Sequence, residues 1–355
     1  MTARGTDWGL AALVAALVAS GALTLFAGSS GDGWVFAAHD ALGLAIVLLL
    51  MFKLRRVWPR LLKPAGWERR TIAGALGTLL VAATLCSGFL WASGVTPDLA
   101  RYGLLRWHDV LGFVLALAIA AHMLIRAKQL RRRDISPAQR RQFLAAAGIA
   151  AGSVAAWRAQ RPVQALFDLR AARRRFTGSY EAGSFSGNAF PSTSWVADHP
   201  RPIVPESYRL RVGGLVSREF NLTLAELAPL DELTAMLDCT GGFYSTQRWR
   251  GVLLARILDR ASVERRARHL RVVSHTGYRW GFALDDARKL LLATYVGAEP
   301  LSHEHGAPVR LVAPGTRGFQ WVKWVSGIEL LDSPDYGAPA STVLSSFTRA
   351  GRGAA

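Results

Sequence analysis

Cysteine is scarce in this sequence, since only Cys86 and Cys239 occur among its 355 residues. Cys86 lies inside an apolar run, which is typical of a small buried hydrophobic residue, so the two cysteines provide no disulfide framework. A small secreted fold stabilised by several disulfides is therefore excluded. Acidic residues are also few, with 25 against 43 lysines and arginines and a formal net charge of +18.

Apolar residues, by contrast, make up 51% of the chain, and the mean hydropathy of +0.19 excludes an ordinary soluble protein. Four segments are near the ~20 residues that cross a bilayer. They cover residues 8–28, 34–53, 71–93 and 106–126. We therefore predict an N-terminal all-α transmembrane four-helix bundle over residues 1–130, followed by a globular part.

The basic residues are concentrated in two runs between these apolar segments, at 53–70 and 126–141. Basic loops of membrane proteins stay in the cytoplasm, so both runs are expected there and no nucleic acid partner is predicted. The same rule places everything after about residue 158 on the outer side of a bacterial cytoplasmic membrane. Arginines at 158–175 argue against this topology, although a translocated domain tolerates such charge.

A fifth apolar segment, shorter and rich in alanine and glycine, covers residues 143–157. The sequence RRQFLAAAGIAAG that leads into it, from Arg140, is similar to a twin-arginine export signal. The alternative is two further arginines on the cytoplasmic flank of a helix. Whether this segment crosses the membrane or serves only as a signal stays open. Residues 131–185 are interpreted as this twin-arginine-like segment, the fifth helix and a linker over 158–185.

The bundle contains an internal duplication, because HDALG from His39 aligns with HDVLG from His108. The two segments run in the same direction, which places both imidazoles at the same depth near the outer surface. Two histidines facing each other across a bundle are the ligands of a six-coordinate b-type haem, so we predict haem iron between them. The alternative is a pair of interfacial histidines that cap helix starts beside Asp40 and Asp109.

His122 lies 14 residues after His108, on nearly the same helix face and some 21 Å deeper, as a rise of about 1.5 Å per residue implies. That spacing predicts a possible second haem. Its partner in the duplication is Lys53, which cannot ligate iron as the protonated amine. A quinone-site residue and a packed polar residue are the alternatives for His122. The four-helix segment as a whole resembles membrane cytochrome b subunits.

The C-terminal part changes to short alternating strands separated by turns. Residues 186–332 predict a mixed α+β domain with hairpins at 208–224, 270–284 and 309–331. Residues 333–355, rich in glycine, alanine and serine, predict a disordered tail.

Four stretches of this domain together resemble the molybdopterin-binding domain of the sulfite oxidase family. They are NAFPSTSW at 188–195, YRLRVGGLV at 208–216, Cys239 with WRGV at 249–252, and HGAPVRLVAPGTRGFQWVKW at 305–324. The resemblance implies that the thiolate of Cys239 binds molybdenum beside the pterin dithiolene. It also implies that Arg310 and Lys323 hold the anionic phosphate of the pterin, and that Asn188 is a cofactor contact.

The residue types agree with this chemistry. A thiolate suits a metal already bound by sulfur, Arg offers a fork to phosphate, and Lys offers a point charge. Without the resemblance, Cys239 would be interpreted as a buried structural thiol. The stretch after Cys239 departs from sulfite oxidases, which have an arginine there, because it contains Phe243 and Tyr244 instead. We expect this aromatic wall to belong to the catalytic site and to favour a neutral or organic substrate, unless Arg248 or Arg250 folds back.

The predicted function is that of a membrane-anchored molybdenum oxidoreductase. It exchanges electrons with the quinone pool or another membrane donor through haem b, and transfers an oxygen atom outside the cytoplasmic membrane. Reduction of an S-oxide or N-oxide is the expected direction, as in the family's exported methionine sulfoxide reductases. The alternatives are a sulfite or other small-substrate oxidase that passes electrons inward, and a non-enzymatic membrane protein with a degenerate cofactor domain.

Overall fold

The computed structural model of the chain describes residues 3–62, 69–95, 98–99, 102–126, 140–193 and 198–348. It divides into two compact units, Met1–Gly178 and Ser179–Ala355. The first is helical and the second is a mixed α+β unit, which confirms the predicted fold class. Most of the second basic run and of the segment before Arg140 lies outside the described residues.

Four helices of the first unit are long and apolar enough to cross a membrane, as predicted. Their bounds are α1 Ala3–Thr24, α2 Gly33–Leu61, α3 Arg69–Ala92 and α4 Leu104–Arg126. α1 packs on α2 and α3 packs on α4, so the bundle is made of two helical hairpins. Large aliphatic side chains remain exposed on the outer faces, including Leu79 at 67% and Leu117 at 72%, which is typical of a surface that faces lipid. Two short strands, β1 Asp98–Leu99 and β2 Tyr102–Gly103, join α3 to α4.

The fifth helix is longer than predicted. α5 extends over Arg140–Leu166 and is not among the helices apolar enough to cross a membrane in the described part of the chain. The linker predicted over 158–185 is wrong for residues 158–178, because α5 continues to Leu166 and is followed by a packed turn at 170–173. The amide of Gln164 donates to the carbonyl of Ala92 at 3.1 Å, and Ala171 is buried.

Arginines that follow α5 fold back onto the helices of the first unit. An arginine can pack its aliphatic stem while its guanidinium binds an acceptor. Arg174 pairs with Asp40 at 3.6 Å, and Arg175 donates to the carbonyl of Gly28 at 3.4 Å. An arginine-rich composition therefore did not indicate an extended segment here.

The second unit contains two sheets. In the larger sheet the strand order is β11-β10-β7-β3, with β6 paired to β7 and β12 to β10, and in the smaller sheet it is β5-β4-β13-β8-β9. The strands are β3 Tyr180–Glu181, β4 Arg209–Gly214, β5 Phe220–Thr223, β6 Asp231–Asp238, β7 Phe243–Leu253, β8 His269–Ser274, β9 Arg279–Ala283, β10 Leu291–Val296, β11 Glu299–Pro300, β12 Arg310–Val312 and β13 Val325–Leu331. Helices α6 Leu254–Ala261 and α7 Leu284–Ala287 follow β7 and β9.

Two of the three predicted hairpins are confirmed, since β4 pairs antiparallel with β5 and β8 with β9. The third is wrong, because β12 joins β10 in the larger sheet whereas β13 lies between β4 and β8 in the smaller one. β12 is buried and β13 contains both buried and half-buried residues, and each strand satisfies its backbone groups in a different sheet. The loop between them, residues 313–324, therefore joins the two sheets.

The tail predicted to be disordered is wrong for residues 333–348. Helix α8, Ala338–Leu344, is followed by a single turn of 3₁₀ helix at Ser345–Phe347. Ala338 is buried, and the hydroxyl of Ser341 donates to the carbonyl of Arg279 at 3.1 Å. Small side chains allow the helix to pack closely on β9, so low hydrophobicity was a poor guide. Residues 349–355 lie outside the described residues.

Gly251, in the WRGV motif, faces the backbone of β10 at a distance that admits no side chain. A Cβ at this position would lie 1.9 Å from the carbonyl oxygen of Leu292. Replacing Gly251 with Ala is therefore expected to destabilise the second unit by more than about 3 kcal/mol, since the backbone of β10 would have to move. Thermal unfolding checks this. Gly327→Ala is the matched control in β13, where a Cβ meets its nearest atom at 3.7 Å, and an equal loss in both variants would contradict the prediction.

Candidate active site and a paired-histidine site

Cys239 lies in the tight turn between β6 and β7. Its amide donates to the carbonyl of Phe243 at 2.8 Å, and its carbonyl accepts from the amide of Gly242 at 3.1 Å. Gly242 has a φ of +95°, which an L-residue rarely adopts, so the double glycine after the cysteine is what closes the turn. The thiol is thereby held at the end of two paired strands and is 7% exposed.

The sulfur has two close polar neighbours. The hydroxyl of Thr193 lies 3.1 Å from Sγ, and the amide of Gly241 donates to Sγ at 3.3 Å. The amide of Gly241 is a donor to the sulfur, whereas in the contact with Thr193 either the hydroxyl or the thiol can donate. Thr193 belongs to the NAFPSTSW stretch but was not singled out from the sequence, and only the fold shows which residue of that stretch meets the sulfur.

Arg310 is buried beside this thiol. It lies on β12 with 2% of its surface exposed, and its guanidinium carbon is 5.0 Å from the ring centre of Trp249 and 5.8 Å from that of Trp321. Its Nε has no hydrogen-bond partner among the described residues. Burial lowers the pKa of Arg310 to about 10, and the charge on Cys239 opposes that shift. An anion at the guanidinium would satisfy this group.

Lys323 has only neutral acceptors within hydrogen-bonding distance. Its Nζ donates to the hydroxyl of Ser192 at 2.9 Å and to the carbonyls of Thr193 at 3.0 Å and Glu304 at 2.6 Å. Burial lowers the pKa of Lys323 to about 7, and the nearby charge of Arg310 adds to the effect.

Gly306 allows the two cations to lie close together. It has a φ of +105°, and a Cβ there would lie 3.0 Å from the Cβ of Lys323 and 3.1 Å from that of Arg310. Any larger residue at this position would push the two side chains apart. The glycine of the HGAP motif is therefore a packing requirement of the cation pair.

His305 is a functional-site residue that was not singled out from the sequence, although it begins the quoted HGAP stretch. Burial, followed by the charges of Arg310 and Lys323, lowers its pKa to about 4, so the ring is neutral at physiological pH. Its Nε2 donates to the carbonyl of Phe190 at 3.0 Å, which leaves Nδ1 to accept from the hydroxyl of Ser302 at 2.7 Å.

Asn188 has a structural task in this arrangement. Its amide nitrogen donates to the carbonyl of Pro300 at 2.9 Å and to the carboxylate of Glu299 at 3.1 Å, while its oxygen accepts from the amide of Ser302 at 2.9 Å. These bonds hold the loop that leads to His305. The predicted cofactor contact by Asn188 stays a prediction.

Phe243 and Tyr244 are placed at the start of β7. Phe243 packs against the hydrophobic core and Tyr244 is half-buried and lies opposite Asp238 in the strand pair. Both follow the Cys239 turn directly, as the sequence requires. The predicted aromatic wall of the substrate site stays a prediction.

A cleft of about 50 Å³ adjoins the cysteine, because Thr193, Gly318 and Lys323 are part of its lining. Its other walls include aromatic side chains, which are Tyr278, Phe319, Trp321 and Trp324. A thiol, two buried cations without a carboxylate at hydrogen-bonding distance in the described part of this unit, and flat aromatic walls fit an anionic, ring-containing ligand that carries a metal. The residues present therefore fit a molybdopterin.

In the first unit the structure brings His39 and His108 together. Their ring centres are 6.4 Å apart and the rings are nearly perpendicular, at 85°. Nδ1 of His39 is 3.0 Å from the hydroxyl of Ser20, and Nδ1 of His108 is 3.1 Å from the hydroxyl of Ser87 and 3.0 Å from the carbonyl of Thr84. Each imidazole thus has its Nδ1 held by the other helix of its own hairpin.

The duplication extends into these partner helices. Ser20-Gly21 on α1 corresponds to Ser87-Gly88 on α3, and a Cβ at Gly21 or Gly88 would lie 3.4 Å or 2.9 Å from Cε1 of the nearby histidine. The serine therefore holds the ring while the glycine makes room for it. The repeated Ser-Gly pair was a signal in the sequence that could have been found.

His122 is not brought to a second histidine. It is exposed on α4, and the other two histidines of residues 1–178 are His39 and His108. Lys53, its counterpart in the duplication, pairs with Asp7 at 3.2 Å. A second haem at His122 stays a prediction for which this unit offers no second imidazole.

The fold and the cation-lined cysteine define a class of protein. Residues 197–338 match the family model described as the oxidoreductase molybdopterin binding domain. Residues 197–338 therefore form an oxidoreductase molybdopterin-binding domain, which is similar to the corresponding domains of sulfite oxidase and of a methionine-sulfoxide reductase catalytic subunit.

Curated relatives share this domain. Sulfite oxidase of Gallus gallus is 33% identical over 38% of this chain and 37% of its own, and inducible nitrate reductase 1 of Glycine max is 31% identical over 35% and 18%. The methionine-sulfoxide reductase catalytic subunit MsrP of Gluconobacter oxydans is 29% identical over 44% of this chain and 55% of its own. The chain thus covers 18% to 55% of the length of these relatives, and their names include three different substrates.

The lowered pKa of Lys323 predicts how the stability of the cofactor-free protein depends on pH. Between a folded-state pKa of about 7 and the ordinary value of 10.5, the unfolded chain binds more protons at this lysine than the folded one. The free energy of unfolding should therefore rise with pH across that window, with a slope of at most about 1.4 kcal/mol per pH unit from this group. The measurement is unfolding of the protein purified without cofactor, from pH 7 to 10.

Lys323→Met should remove this rise, whereas Lys289→Met, at an exposed lysine paired with Asp286, should keep it. Bound cofactor should also remove it, since its anionic group would raise the pKa of Lys323. Identical pH profiles for the parent and Lys323→Met would contradict the assignment of the buried charge.

Proposed function

We propose that this protein is a membrane-anchored molybdenum oxidoreductase that transfers an oxygen atom to or from its substrate and exchanges electrons with the quinone pool through a b-type haem. The strongest support for the proposal is the surroundings of Cys239. The sulfur of Cys239 shares its buried site with Arg310 and Lys323, and neither cation has a carboxylate at hydrogen-bonding distance among the described residues.

Cys239 would ligate the metal, while Arg310 and Lys323 would hold the anionic end of the pterin. The bound cofactor supplies the two-electron oxygen-atom chemistry. The side chains around Cys239 and Arg310 hold these two residues in place. Thr193 and Gly241 hold the sulfur through hydrogen bonds, and Trp249 and Trp321 fix the guanidinium of Arg310 and exclude water from it.

We infer that the substrate is an S-oxide or N-oxide that is reduced. The turn after Cys239 contains no basic residue from 240 to 244, so it lacks a cation that would bind an oxyanion beside the metal ligand. Phe243 and Tyr244 offer apolar contact instead. Similarity to a methionine-sulfoxide reductase catalytic subunit supports this substrate class.

Oxidation of sulfite, with electrons passed inward, is the second candidate. It is favoured by the 33% identity to sulfite oxidase of Gallus gallus, which exceeds the 29% identity to the reductase subunit. The remaining alternative, a non-enzymatic membrane protein, has no support from the intact set of Cys239, Arg310 and Lys323.

The haem assignment is supported by the spacing of the two histidines. Metal–imidazole bonds are about 2 Å long, and each ligating nitrogen lies about 1 Å from the centre of its ring. Two imidazoles on opposite sides of one iron would therefore have ring centres roughly 6 Å apart. The ring centres of His39 and His108 are 6.4 Å apart. With Nδ1 held by Ser20 and Ser87, the Nε2 atoms are left for iron.

The same proposal places the first unit in a bacterial cytoplasmic membrane, with lipid around its apolar faces. The second unit then lies on the extracytoplasmic side, and the arginine pair at Arg140 acts as a twin-arginine signal. The four apolar helices and the similarity to MsrP support this arrangement.

Replacing Cys239 with Ser tests the catalytic half. Loss of a residue that hydrogen-bonds to a metal ligand typically lowers activity by about 10–100-fold. Turnover of Cys239→Ser should fall further than this, because the variant loses a direct metal ligand. Molybdenum analysis and assays with a sulfoxide and, separately, with sulfite give the measurement. Cys86→Ser on α3 is the matched control and should keep both metal and activity. Undiminished turnover in Cys239→Ser would refute the assignment, and turnover of sulfite alone would replace the reductase by the oxidase.

Replacing His39 with Ala should abolish the b-type absorption bands, since one axial ligand is lost, while His122→Ala should keep them. Ser20→Ala should lower haem affinity by about 10–100-fold, the usual effect of removing a partner of a ligating imidazole. Visible spectra and haem content of the purified protein give the measurement. Bands that survive in His39→Ala would disprove the axial pair, and their loss in His122→Ala would favour a second haem.

A further inference from the structure

A buried ion pair lies directly beside the proposed metal ligand. A guanidinium nitrogen of Arg317 is 2.8 Å from the carboxylate of Asp238, and the two side chains are 5% and 3% exposed. Asp238 immediately precedes Cys239, and Arg317 lies in the loop at 313–324 that joins the two sheets. Neither residue was a candidate site residue in the sequence.

The pair is anchored to the cysteine from two sides. The hydroxyl of Ser179 donates to Asp238 at 2.7 Å, and Arg317 donates to the carbonyl of Cys239 at 3.5 Å. The backbones of Asp238 and Arg317 also form a parallel bridge. Gly318 completes the contact, because a Cβ there would lie 3.0 Å from the Cα of Cys239.

Net stability is a weak explanation for this arrangement, since desolvation of two buried charges offsets most of their attraction. The other ion pairs described in the second unit each have at least one side chain that is more exposed. Arg279 and Asp335 are 33% and 6% exposed, and Arg211 and Glu219 are 65% and 51% exposed. What sets Asp238 and Arg317 apart is their position, in a region of low effective dielectric where one unbalanced charge acts strongly on a neighbouring metal centre.

We propose that the ion pair of Asp238 and Arg317 positions the thiolate of Cys239 and sets the reduction potential of the metal bound to it. The inference rests on the proposed molybdenum ligation by Cys239. The two residues act through the cysteine and do not touch the substrate. The intact pair is electrically neutral, so it holds the turn without adding net charge beside the metal.

The two halves of the pair should act in opposite directions. Asp238→Asn leaves a buried cation, which stabilises the reduced and more electron-rich metal, so the reduction potential rises. Arg317→Gln leaves a buried carboxylate, which stabilises the oxidised metal, so the potential falls. In the double variant neutrality returns, and the potential returns toward that of the parent. A purely structural role predicts losses of the same sign in each variant.

The experiment is a redox titration of the full-length protein in detergent with its cofactor bound, following the Mo(V) electron paramagnetic resonance signal. Molybdenum content and thermal unfolding are measured on the same samples. Asp231→Asn and Arg256→Gln are the matched controls, because that pair lies at the far end of β6, about 20 Å from Asp238 at the rise of a strand. These controls should leave the potential unchanged.

Opposite shifts that cancel in the double variant support the inference. Unchanged potentials, or shifts of one sign in a protein that retains molybdenum, overturn it while leaving the proposed function in place. Asp238→Glu and Arg317→Lys keep the charges and serve where a neutral variant does not fold. Their potentials should stay at the parental value, and shifts in them overturn the inference. A parent protein without molybdenum removes the proposed function and this inference together.

Discussion

Positive charge buried beside a thiol is the constraint on which the catalytic unit depends. Removing Arg310 and Lys323 from water is unfavourable by several kcal/mol for each ion unless a counter-charge is present. The surrounding residues nevertheless hold the two cations in place. Trp249 and Trp321 enclose the guanidinium of Arg310, and Gly306 allows Arg310 and Lys323 to lie close together. Two buried cations without a carboxylate at hydrogen-bonding distance in the described residues support the proposed anionic ligand, and the sulfur of Cys239 would suit a soft metal in that ligand.

Where the signal is local or repeated, the sequence indicated groups that the structure brings together. Hydropathy indicated the four apolar helices, the repeated His-Asp pair indicated the neighbouring His39 and His108, and a set of motifs indicated Cys239 with two nearby cations. The roles of these residues stay predictions. Features that depend on distant contacts were missed. Thr193 meets a sulfur 46 positions away, and α8 is ordered by its contacts with β9, which composition does not report. The third predicted hairpin failed for the same reason, because β12 and β13 find better partners in separate sheets.

The duplication in the first unit explains why its two histidines are equivalent. Each hairpin supplies one imidazole from its second helix and one Ser-Gly pair from its first, so each hairpin fixes its own ring. A metal between the rings would then join the two hairpins, which contribute one ligand each. His122 has no such support, because its counterpart is Lys53 and that lysine is engaged with Asp7. The symmetry therefore supports the proposal of a single haem, held at the duplicated position.

The distribution of charge around Cys239 also bears on substrate choice. In the proposed function Arg310 and Lys323 would neutralise the cofactor, and Arg317 is paired with Asp238. None of these three cations is left to attract an oxyanion, and the turn at 240–244 adds none. An anionic substrate would have to leave water without a compensating charge at the metal ligand, whereas a neutral oxide gives up less hydration and gains aromatic contact. The placement of the positive charge therefore supports the proposed reduction of a neutral oxide over the second candidate, oxidation of sulfite.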